Sequence, residues 1–204
     1  AVIDADLEGK QEDQVFSHIG SEKNADLLGM SWRDAAAGRG VSVGTLLCAV
    51  AVEENFIVGR RGAPPDSTAL WNQVSRDCME LLSRPDYMIG SDCIPTQRYP
   101  HPRAYGTFPR IVGRLLRQSP VSLETIIQRT SSDPALRFGI KDRGFIKKGH
   151  FADIVLFDPD TIIDTATYDD PIQFPAGIPF VIVNGEVAVD NNKSTGVIAG
   201  QAVS

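Results

Sequence analysis

The residues whose types and spacing most suggest catalytic or binding chemistry lie between positions 85 and 110. A short apolar run at 87–89 predicts a buried strand, and Gly90 and Ser91 break it so that Asp92 follows its end. Ligands and catalytic groups gather at that end of the strands in sheets with helical crossovers. Asp92 is therefore the first candidate for a catalytic residue. An Asp after a strand also serves commonly as a turn residue or a helix N-cap, so this structural role stays open.

The loop after Asp92 supplies the candidate for substrate binding. It is rich in proline, histidine, arginine and tyrosine, which makes it too polar for a core segment. Arg103 in this loop is the first candidate for holding an anionic substrate. Cys93, next to Asp92, is the one cysteine to examine for reactivity, and the alternative is a small apolar residue that lines a pocket.

The first half of the chain predicts helices and strands that would position these residues. Apolar runs predict strands at 14–19, which includes His18, and at 55–60. Serine N-caps predict the starts of helices at 31–38, 42–54 and 67–83. The strand, helix and strand between 56 and 90 predict a parallel crossover unit, which is normally covered by helices.

The second half changes in character near residue 139. Helices are predicted at 107–118, 122–129 and 133–138. A strand at 153–157 and a hairpin at 179–190 follow, and Asn184 and Gly185 are typical of a type I′ turn because both positions need positive φ. Two domains are therefore expected, 1–138 and 139–204.

Composition and charge narrow the classes of function. The 204 residues are enough to bury a core, and the net charge of −6 with scattered basic residues argues against nucleic acid. No apolar stretch approaches the roughly 20 residues that span a bilayer, and no signal peptide opens the chain. Three widely spaced cysteines indicate neither disulfides nor a zinc ribbon, so a reducing, cytoplasmic location is expected. The start at Ala1 without an initiator Met leads us to expect a fragment.

Four motifs together resemble the C-terminal part of an N-acyl-D-amino-acid deacylase (D-aminoacylase) of the amidohydrolase superfamily. They are MIGSD at 88–92, HPRAYGTFPR at 101–110, DRGFIKKGHFADIVLFDPD at 142–160 and FVIVNGEVAV at 180–189. The resemblance covers nearly the whole chain. The last two motifs occur widely among amidohydrolases, whereas HPRAYGTFPR is much narrower and indicates the subfamily.

This resemblance implies a fold, an activity and a cofactor. The fold is α/β, the C-terminal portion of a (β/α)₈ TIM-like amidohydrolase barrel plus strands of a small β-sandwich. The activity is hydrolysis of an N-acyl-D-amino acid to a carboxylate and a free D-amino acid, assisted by Zn²⁺. A metal lowers the pKa of a bound water, and a carboxylate takes the proton of that water and passes it to the leaving amine.

The resemblance also assigns roles to individual residues. Asp92 matches the catalytic carboxylate and a metal ligand. Arg103 matches the residue that receives the substrate's α-carboxylate, a task that suits the planar fork of a guanidinium. Other roles are suggested by position in the chain and stay open. His101 orients Arg103 or is a solvated loop residue, and Tyr105 lines the substrate pocket or packs in the core. Arg60 and its neighbour Arg61, at the end of the strand predicted at 55–60, favour an acidic substrate side chain or serve as solvated or ion-paired surface residues.

The chain also departs from the family pattern. The His-x-His motif and the other metal-binding cysteine and histidines are absent, and His18, His101 and His150 are not paired at ligand spacing. Cys93 stands where relatives commonly carry glycine. Ligand counting therefore predicts that this chain holds only part of an active site. We expect the missing N-terminal half of the barrel as a partner, or self-association through exposed sheet edges.

Two rival interpretations stay open. One is another amidohydrolase, such as a dihydroorotase- or hydantoinase-like cyclic amidase, which shares the GSD strand and the return to the sandwich. The HPRAYGTFPR loop argues against it. The other is a catalytically inactive fragment that acts as an interaction module, which the missing ligands favour for the isolated chain.

Overall fold

The computed structural model describes residues 11–62, 67–94 and 99–203, which form two compact units. The first unit takes its described residues from 1–66, 93–104 and 167–172. The second takes them from 67–92, 105–166 and 173–204. Both helices and strands are present, so the fold is mixed α/β.

The first unit contains a two-stranded antiparallel sheet and three helical segments. Its elements are β1 (Val15–Ile19), a 3₁₀ helix (Glu22–Leu27), α1 (Trp32–Arg39), α2 (Val43–Glu53) and β2 (Val58–Arg61). Their apolar faces enclose one core of Phe16, Leu27, Trp32, Ala35, Ala36, Val43, Leu46 and Val50. No single helix in the described residues is long and apolar enough to cross a bilayer, and only α1 and α2 taken together, bent by 92°, meet that criterion on length and composition.

The helices of the first unit begin and end where local hydrogen bonding predicts. The Ser31 hydroxyl accepts from the N–H of Asp34 at 3.0 Å, and the Ser42 hydroxyl accepts from the N–H of Thr45 at 3.2 Å. Gly40 ends α1 with a φ of +65°. Because these bonds satisfy N–H groups that have no partner inside the helix, the predicted starts are confirmed.

The second unit combines helices with a four-stranded antiparallel sheet. Its helices are α3 (Thr68–Ser83), α4 (Arg103–Arg110), a π-helix (Ile111–Leu115), a 3₁₀ turn (Leu116–Gln118), α5 (Leu123–Thr130) and α6 (Ser132–Arg137). The first two residues of α4 are assigned to the first unit. The strands of the second unit are β3 (Ile154–Leu156), β4 (Phe180–Val183), β5 (Glu186–Asp190) and β6 (Lys193–Ser194), in that order across the sheet. The core contains Met79, Ile89, Ile111, Val112, Ile126 and Ile162.

The predicted hairpin is confirmed, and the structure adds a strand that the sequence analysis missed. Asn184 and Gly185 have φ values of +50° and +88° between β4 and β5. A second turn with positive φ, at Asn191 and Asn192, leads from β5 into β6. The adjacent asparagines were the signal for that turn, since asparagine tolerates the left-handed region.

The predicted parallel crossover unit is wrong. The second strand begins at Val58 rather than Asn55, and it pairs with β1 in the antiparallel direction. Asn55 and Phe56 have φ values of +52° and +62°, and the Phe56 N–H donates to the Ala51 carbonyl at 2.7 Å. These left-handed residues end α2 and reverse the chain, so β2 returns alongside β1.

Two further elements differ from the predictions. Residues 87–90 are not a strand, because the N–H of Ile89 donates to the carbonyl of Arg129 at 3.1 Å instead of to a neighbouring strand. The helix predicted from 107 begins at Arg103, and it contains Pro109 and continues as the π-helix. Proline removes one backbone donor from a helix, which favours such irregular hydrogen bonding.

Candidate active site

The first unit contains a cavity of about 410 Å³ beside β2 and the loop that precedes α4, which we call the arginine pocket. Its charged and aromatic lining residues are Arg60, Arg61, Arg103, His101, Tyr99 and Tyr168. The lining residues, all within the described part of the chain, include no Asp or Glu. The pocket therefore presents cationic groups, as a site for an anionic ligand requires.

His101 stabilises the first turn of α4, the helix that begins at Arg103. Its Nδ1 accepts from the backbone N–H of Arg103 at 3.0 Å, and its carbonyl accepts from the N–H of Ala104 at 2.9 Å. The first N–H groups of a helix lack partners inside it, so a side chain that accepts from one of them stabilises the helix start. His101 is thus in contact with Arg103 through the backbone.

The hydrogen bonds of His101 define its protonation state. Because Nδ1 accepts, the neutral ring carries its proton on Nε2, which lies 2.9 Å from the Tyr168 hydroxyl. Desolvation of the ring lowers the pKa of His101, and the positive charges of Arg103 and Arg60 lower it further. All three effects favour the neutral imidazole that this geometry needs.

His18 contributes to the same unit through packing. Its ring stacks on Tyr99 with a centroid distance of 3.7 Å and an angle of 15° between the planes. The Tyr99 hydroxyl donates to the backbone carbonyl of Tyr168. Burial lowers the pKa of His18, although the carboxylate of Glu54 opposes this shift. These contacts attach Tyr99 to β1 and give His18 a packing role.

Glu54 is a buried carboxylate that the sequence analysis missed. It accepts from the N–H groups of Gly20 and Ser21 at 3.0 and 2.9 Å, and from the side chains of Ser21 and Asn24. Hydrogen bonds from the side chains of Ser21 and Asn24 lower its pKa most, and the backbone donors add to this. Glu54 therefore fastens the segment after β1 to the end of α2.

Asp92 belongs to the second unit, and Arg103 belongs to the first. Asp92 is exposed and has a φ of +47°. Positive φ is uncommon outside glycine and often accompanies functional positions, although aspartate tolerates it better than most residues. The pairing of Asp92 with Arg103 around one substrate stays a prediction. The next residue, Cys93, is a free thiol that lines the arginine pocket.

The structure gives Tyr105 a packing contact. Its ring lies edge-on against Phe174 within the second unit, with centroids 5.7 Å apart. Tyr105 is not among the residues that line the arginine pocket. This contact favours the core-packing alternative, and the substrate-binding role of Tyr105 stays a prediction.

The second half of the HPRAYGTFPR motif has a structural role. Arg110 Nη1 lies 3.0 Å from Oδ2 of Asp164, whose side chain is 5% exposed, and Arg114 Nε contacts the other carboxylate oxygen. A Cβ added at Gly106 would lie 3.3 Å from Cβ of Asp164, so a glycine there lets α4 approach this residue closely. The sequence showed no partner for Arg110.

The described residues do not assemble a metal site of their own. Within 11–62, 67–94 and 99–203, no three side chains of His, Cys, Asp or Glu are grouped so that they could hold a metal ion. His150 instead packs against an aromatic side chain, since its ring lies edge-on to Phe145 with centroids 6.3 Å apart. Asp92 can offer one carboxylate ligand, but the full ligand set of a zinc site needs further donors.

The sequence matches a known family and some of its characterised members. A model described as the amidohydrolase family matches residues 26–189. A D-aminoacylase of Alcaligenes xylosoxydans xylosoxydans is 41% identical over 129 residues, which are 63% of this chain and 27% of that relative. An N-acyl-D-glutamate deacylase of the same organism is 44% identical over 99 residues, which are 48% of this chain and 20% of that relative. The chain thus spans about a quarter of the length of these relatives.

Solved structures match over a larger part of the chain. A D-aminoacylase studied for its binuclear metal centre superposes with a TM-score of 0.71 at 31% identity, over 93% of this chain and 37% of that one. The N-acyl-D-glutamate deacylase of Bordetella bronchiseptica, in complex with zinc and a phosphonate mimic of the tetrahedral intermediate, has a TM-score of 0.65 at 31% identity. That match covers 87% of this chain and 34% of the deacylase.

Proposed function

This chain belongs to the amidohydrolase family, with the D-aminoacylases as its relatives, and from that premise we propose that the enzyme containing it hydrolyses N-acyl-D-amino acids. The products are a carboxylate and a free D-amino acid. The matched relatives are named for this chemistry. The single observation that carries the proposal is the arginine pocket, in which Arg103 follows a histidine cap at the start of α4.

Arg103 binds the substrate's α-carboxylate in this proposal. Its guanidinium offers two parallel N–H donors to the two carboxylate oxygens. The backbone bond from Arg103 to His101 supports this role, because it stabilises the first turn from which the side chain extends. His101 is then a positioning residue, and Tyr168 keeps the imidazole in the required tautomer.

Asp92 is the proton carrier in this proposal. Its carboxylate takes a proton from the attacking water and delivers it to the nitrogen of the leaving amine as the C–N bond breaks. Zinc, when bound, lowers the pKa of that water and polarises the amide carbonyl. Asp92 would supply one ligand, and the remaining ligands would come from polypeptide outside the described residues. The exposed position and left-handed backbone of Asp92 support a functional role.

We also propose the architecture that the sequence motifs imply. Residues 1–138 would be the C-terminal part of the barrel, and residues 139–204 would contribute strands to a composite β-sandwich. Support comes from the superposition on D-aminoacylase and from the antiparallel order of β3 to β6. The three free cysteines fit a cytoplasmic location, where disulfides are rare.

The remainder of the barrel is the proposed partner of this chain, with self-association as the alternative. The second unit has an apolar cavity of about 880 Å³, lined by Leu123, Ile127, Phe145, Ile146 and Val155 among others. Ile146 is 92% exposed and Val155 is 52% exposed. Large exposed apolar patches normally mark interaction sites. Light scattering of the isolated 204 residues at micromolar concentration should therefore detect oligomers, and a stable monomer would contradict this expectation.

The activity is tested by steady-state kinetics on the full-length enzyme. We expect turnover of N-acetyl-D-amino acids and none of hydantoins or dihydroorotate, and the reverse result would favour the cyclic amidases. Asp92→Asn should lower kcat by about 10²- to 10⁴-fold because the proton carrier is lost. Asp86→Asn is the matched control, since its ion pair with Arg84 is exposed and contributes little. Equal turnover in the two variants would remove the catalytic role of Asp92.

The zinc content should differ between the full-length enzyme and the isolated chain, and metal analysis measures it. The proposal predicts tightly bound zinc in the full-length enzyme. The isolated 204 residues should bind zinc weakly and below one equivalent, because Asp92 is a single ligand. Stoichiometric, tight zinc in the isolated chain would contradict this assignment of ligands.

A further inference from the structure

The described residues that line the arginine pocket include two arginines besides Arg103. Arg60 and Arg61, at the end of β2, line the same pocket as Arg103. Its lining residues, each of them in the described part of the chain, include no Asp or Glu. Like charges held close together repel one another, so such a pocket favours a ligand that brings more than one negative charge.

Arg60 is oriented by a neutral side chain of the pocket. Its Nη1 donates to Oε1 of Gln14, a second lining residue, at 2.7 Å. A guanidinium has five N–H donors in a planar fork, so this bond uses one donor and fixes the plane of the others. The positive charge of Arg60 also acts on the ring of His101, where it helps to lower the pKa.

Ser17 adds a hydroxyl that lacks a partner. Ser17 lines the pocket, is only 6% exposed, and its Oγ has no hydrogen-bond partner among the described residues. Gly59, also a lining residue, lies beside it, since a Cβ there would be 2.9 Å from the Ser17 oxygen. A buried hydroxyl without a partner costs stability, and a ligand oxygen would remove that cost.

We propose that Arg60 and Ser17, with Arg61 beside them, form a second carboxylate subsite, so that the preferred substrates are N-acyl-D-amino acids with an acidic side chain. The side-chain carboxylate accepts hydrogen bonds from the Arg60 guanidinium and the Ser17 hydroxyl. Arg103 takes the α-carboxylate. This inference rests on the proposed deacylase function and adds to it the class of substrate side chain.

The test compares N-acetyl-D-glutamate with N-acetyl-D-glutamine, which has nearly the same shape without the second charge. In the full-length enzyme, kcat/KM should be about 10- to 100-fold higher for the glutamate substrate, as one charge-assisted hydrogen-bonded contact provides. Equal values for the two substrates in the unmodified enzyme would overturn the subsite.

Substitutions identify the residues responsible for this preference. Arg60→Gln should reduce the glutamate-to-glutamine ratio about tenfold. Arg60→Lys should reduce the ratio less, because it keeps the charge without the fork, and Ser17→Ala should reduce it about threefold. Arg76→Gln is the matched control, since Arg76 is exposed on α3 and bonds to Gln73. An Arg60→Gln enzyme with an unchanged ratio would overturn the assignment.

Binding measurements keep the two proposals distinguishable. If no N-acyl-D-amino acid is hydrolysed, the deacylase function fails while the subsite can still be tested. Calorimetry on the full-length Asp92→Asn variant should show tighter binding of N-acetyl-D-glutamate than of N-acetyl-D-glutamine. In NMR titrations the glutamate ligand should also raise the pKa of His101 more, because it neutralises the nearby arginines. Equal affinities and equal pKa changes would overturn the subsite.

Discussion

Arg110 and Arg114 in the second unit converge on the buried carboxylate of Asp164, whereas Arg60 and Arg61 in the first unit line a pocket whose lining residues include no acidic side chain. The residue type is the same in both places. In the second unit the ion pairs hold the π-helical segment close to the segment that contains Asp164. In the first unit the cationic groups border a cavity that a ligand can enter. The partner of an arginine, rather than the arginine itself, thus separates a structural role from the binding role that we propose.

Under the proposed function, helix α4 contains one arginine of each kind. Arg103 is its first residue and Arg110 is its last, and both belong to the HPRAYGTFPR motif. His101 caps the beginning of the helix, and Gly106 allows the close approach to Asp164. One short motif therefore contains the proposed binding residue and a structural residue. Substitutions in the arginine pocket should therefore impair activity, whereas loss of the ion pairs at Asp164 should lower stability.

The largest effect is expected from removal of the charge at Arg103. In the full-length enzyme, Arg103→Met should lower kcat/KM about 100-fold or more, because the α-carboxylate loses a bidentate partner. The temperature of unfolding should change little. Steady-state kinetics and thermal unfolding measure the two quantities. A large loss of thermal stability with normal kinetics would mean that Arg103 has a structural role like that of Arg110. That result would contradict the proposed difference between the two arginines.

The next largest effect is expected at Asp164. Asp164→Asn should lower the free energy of unfolding by about 2–3 kcal/mol, below the value for a fully buried pair because both arginines are partly exposed. Urea unfolding measures this change. The control is Asp26→Asn, which removes an exposed ion pair with Arg39 and should cost about 0–1 kcal/mol. Equal effects in the two variants would contradict a special role for Asp164.

A smaller effect is expected from loss of the cap on α4. His101→Ala should destabilise the chain by about 1 kcal/mol, as the loss of other helix caps does. His101→Asn should recover part of that stability, because an amide oxygen can also accept from a helix N–H. In the full-length enzyme the alanine variant should raise KM more than it lowers kcat, since it disturbs the position of Arg103. An unchanged KM would contradict a positioning role.

The smallest effect is expected from pH. Desolvation lowers the pKa of both His101 and His18 from the ordinary value of 6.5. The unfolded chain therefore binds more protons than the folded chain between these lowered pKa values and 6.5, and stability rises with pH in that window. The contribution is fully present above 6.5 and is lost as the pH falls through the folded pKa.

Urea unfolding at pH 7.5 and at pH 5.5 measures this dependence. The unmodified chain should be less stable at the lower pH. The double variant His18→Gln and His101→Gln should lose less stability over the same interval. An identical pH dependence in the two proteins would show that other groups are responsible.

Local features of the sequence predicted a large part of the fold. Ser31, Ser42, Ser67 and Ser122 each cap a helix that begins at the next residue, because the capping bond joins groups only three residues apart. Asn184 and Gly185 form the predicted hairpin turn, because a type I′ turn depends on the backbone angles of two adjacent residues. The motifs also led to the amidohydrolase family, which the family match confirms. The candidate Arg103 was likewise chosen from its local sequence, and it lines a pocket.

Long-range contacts decided what the sequence alone did not determine. The antiparallel pairing of β2 with β1, the burial of Glu54 beside Ser21 and the convergence of Arg110 on Asp164 each join residues far apart in the chain. Ser17 drew no attention in the sequence, because a serine in a strand gains meaning only from the cavity that it borders. Residue type and spacing specify local hydrogen bonds, but the partner of a charge or hydroxyl depends on which distant segments the packed core brings beside it.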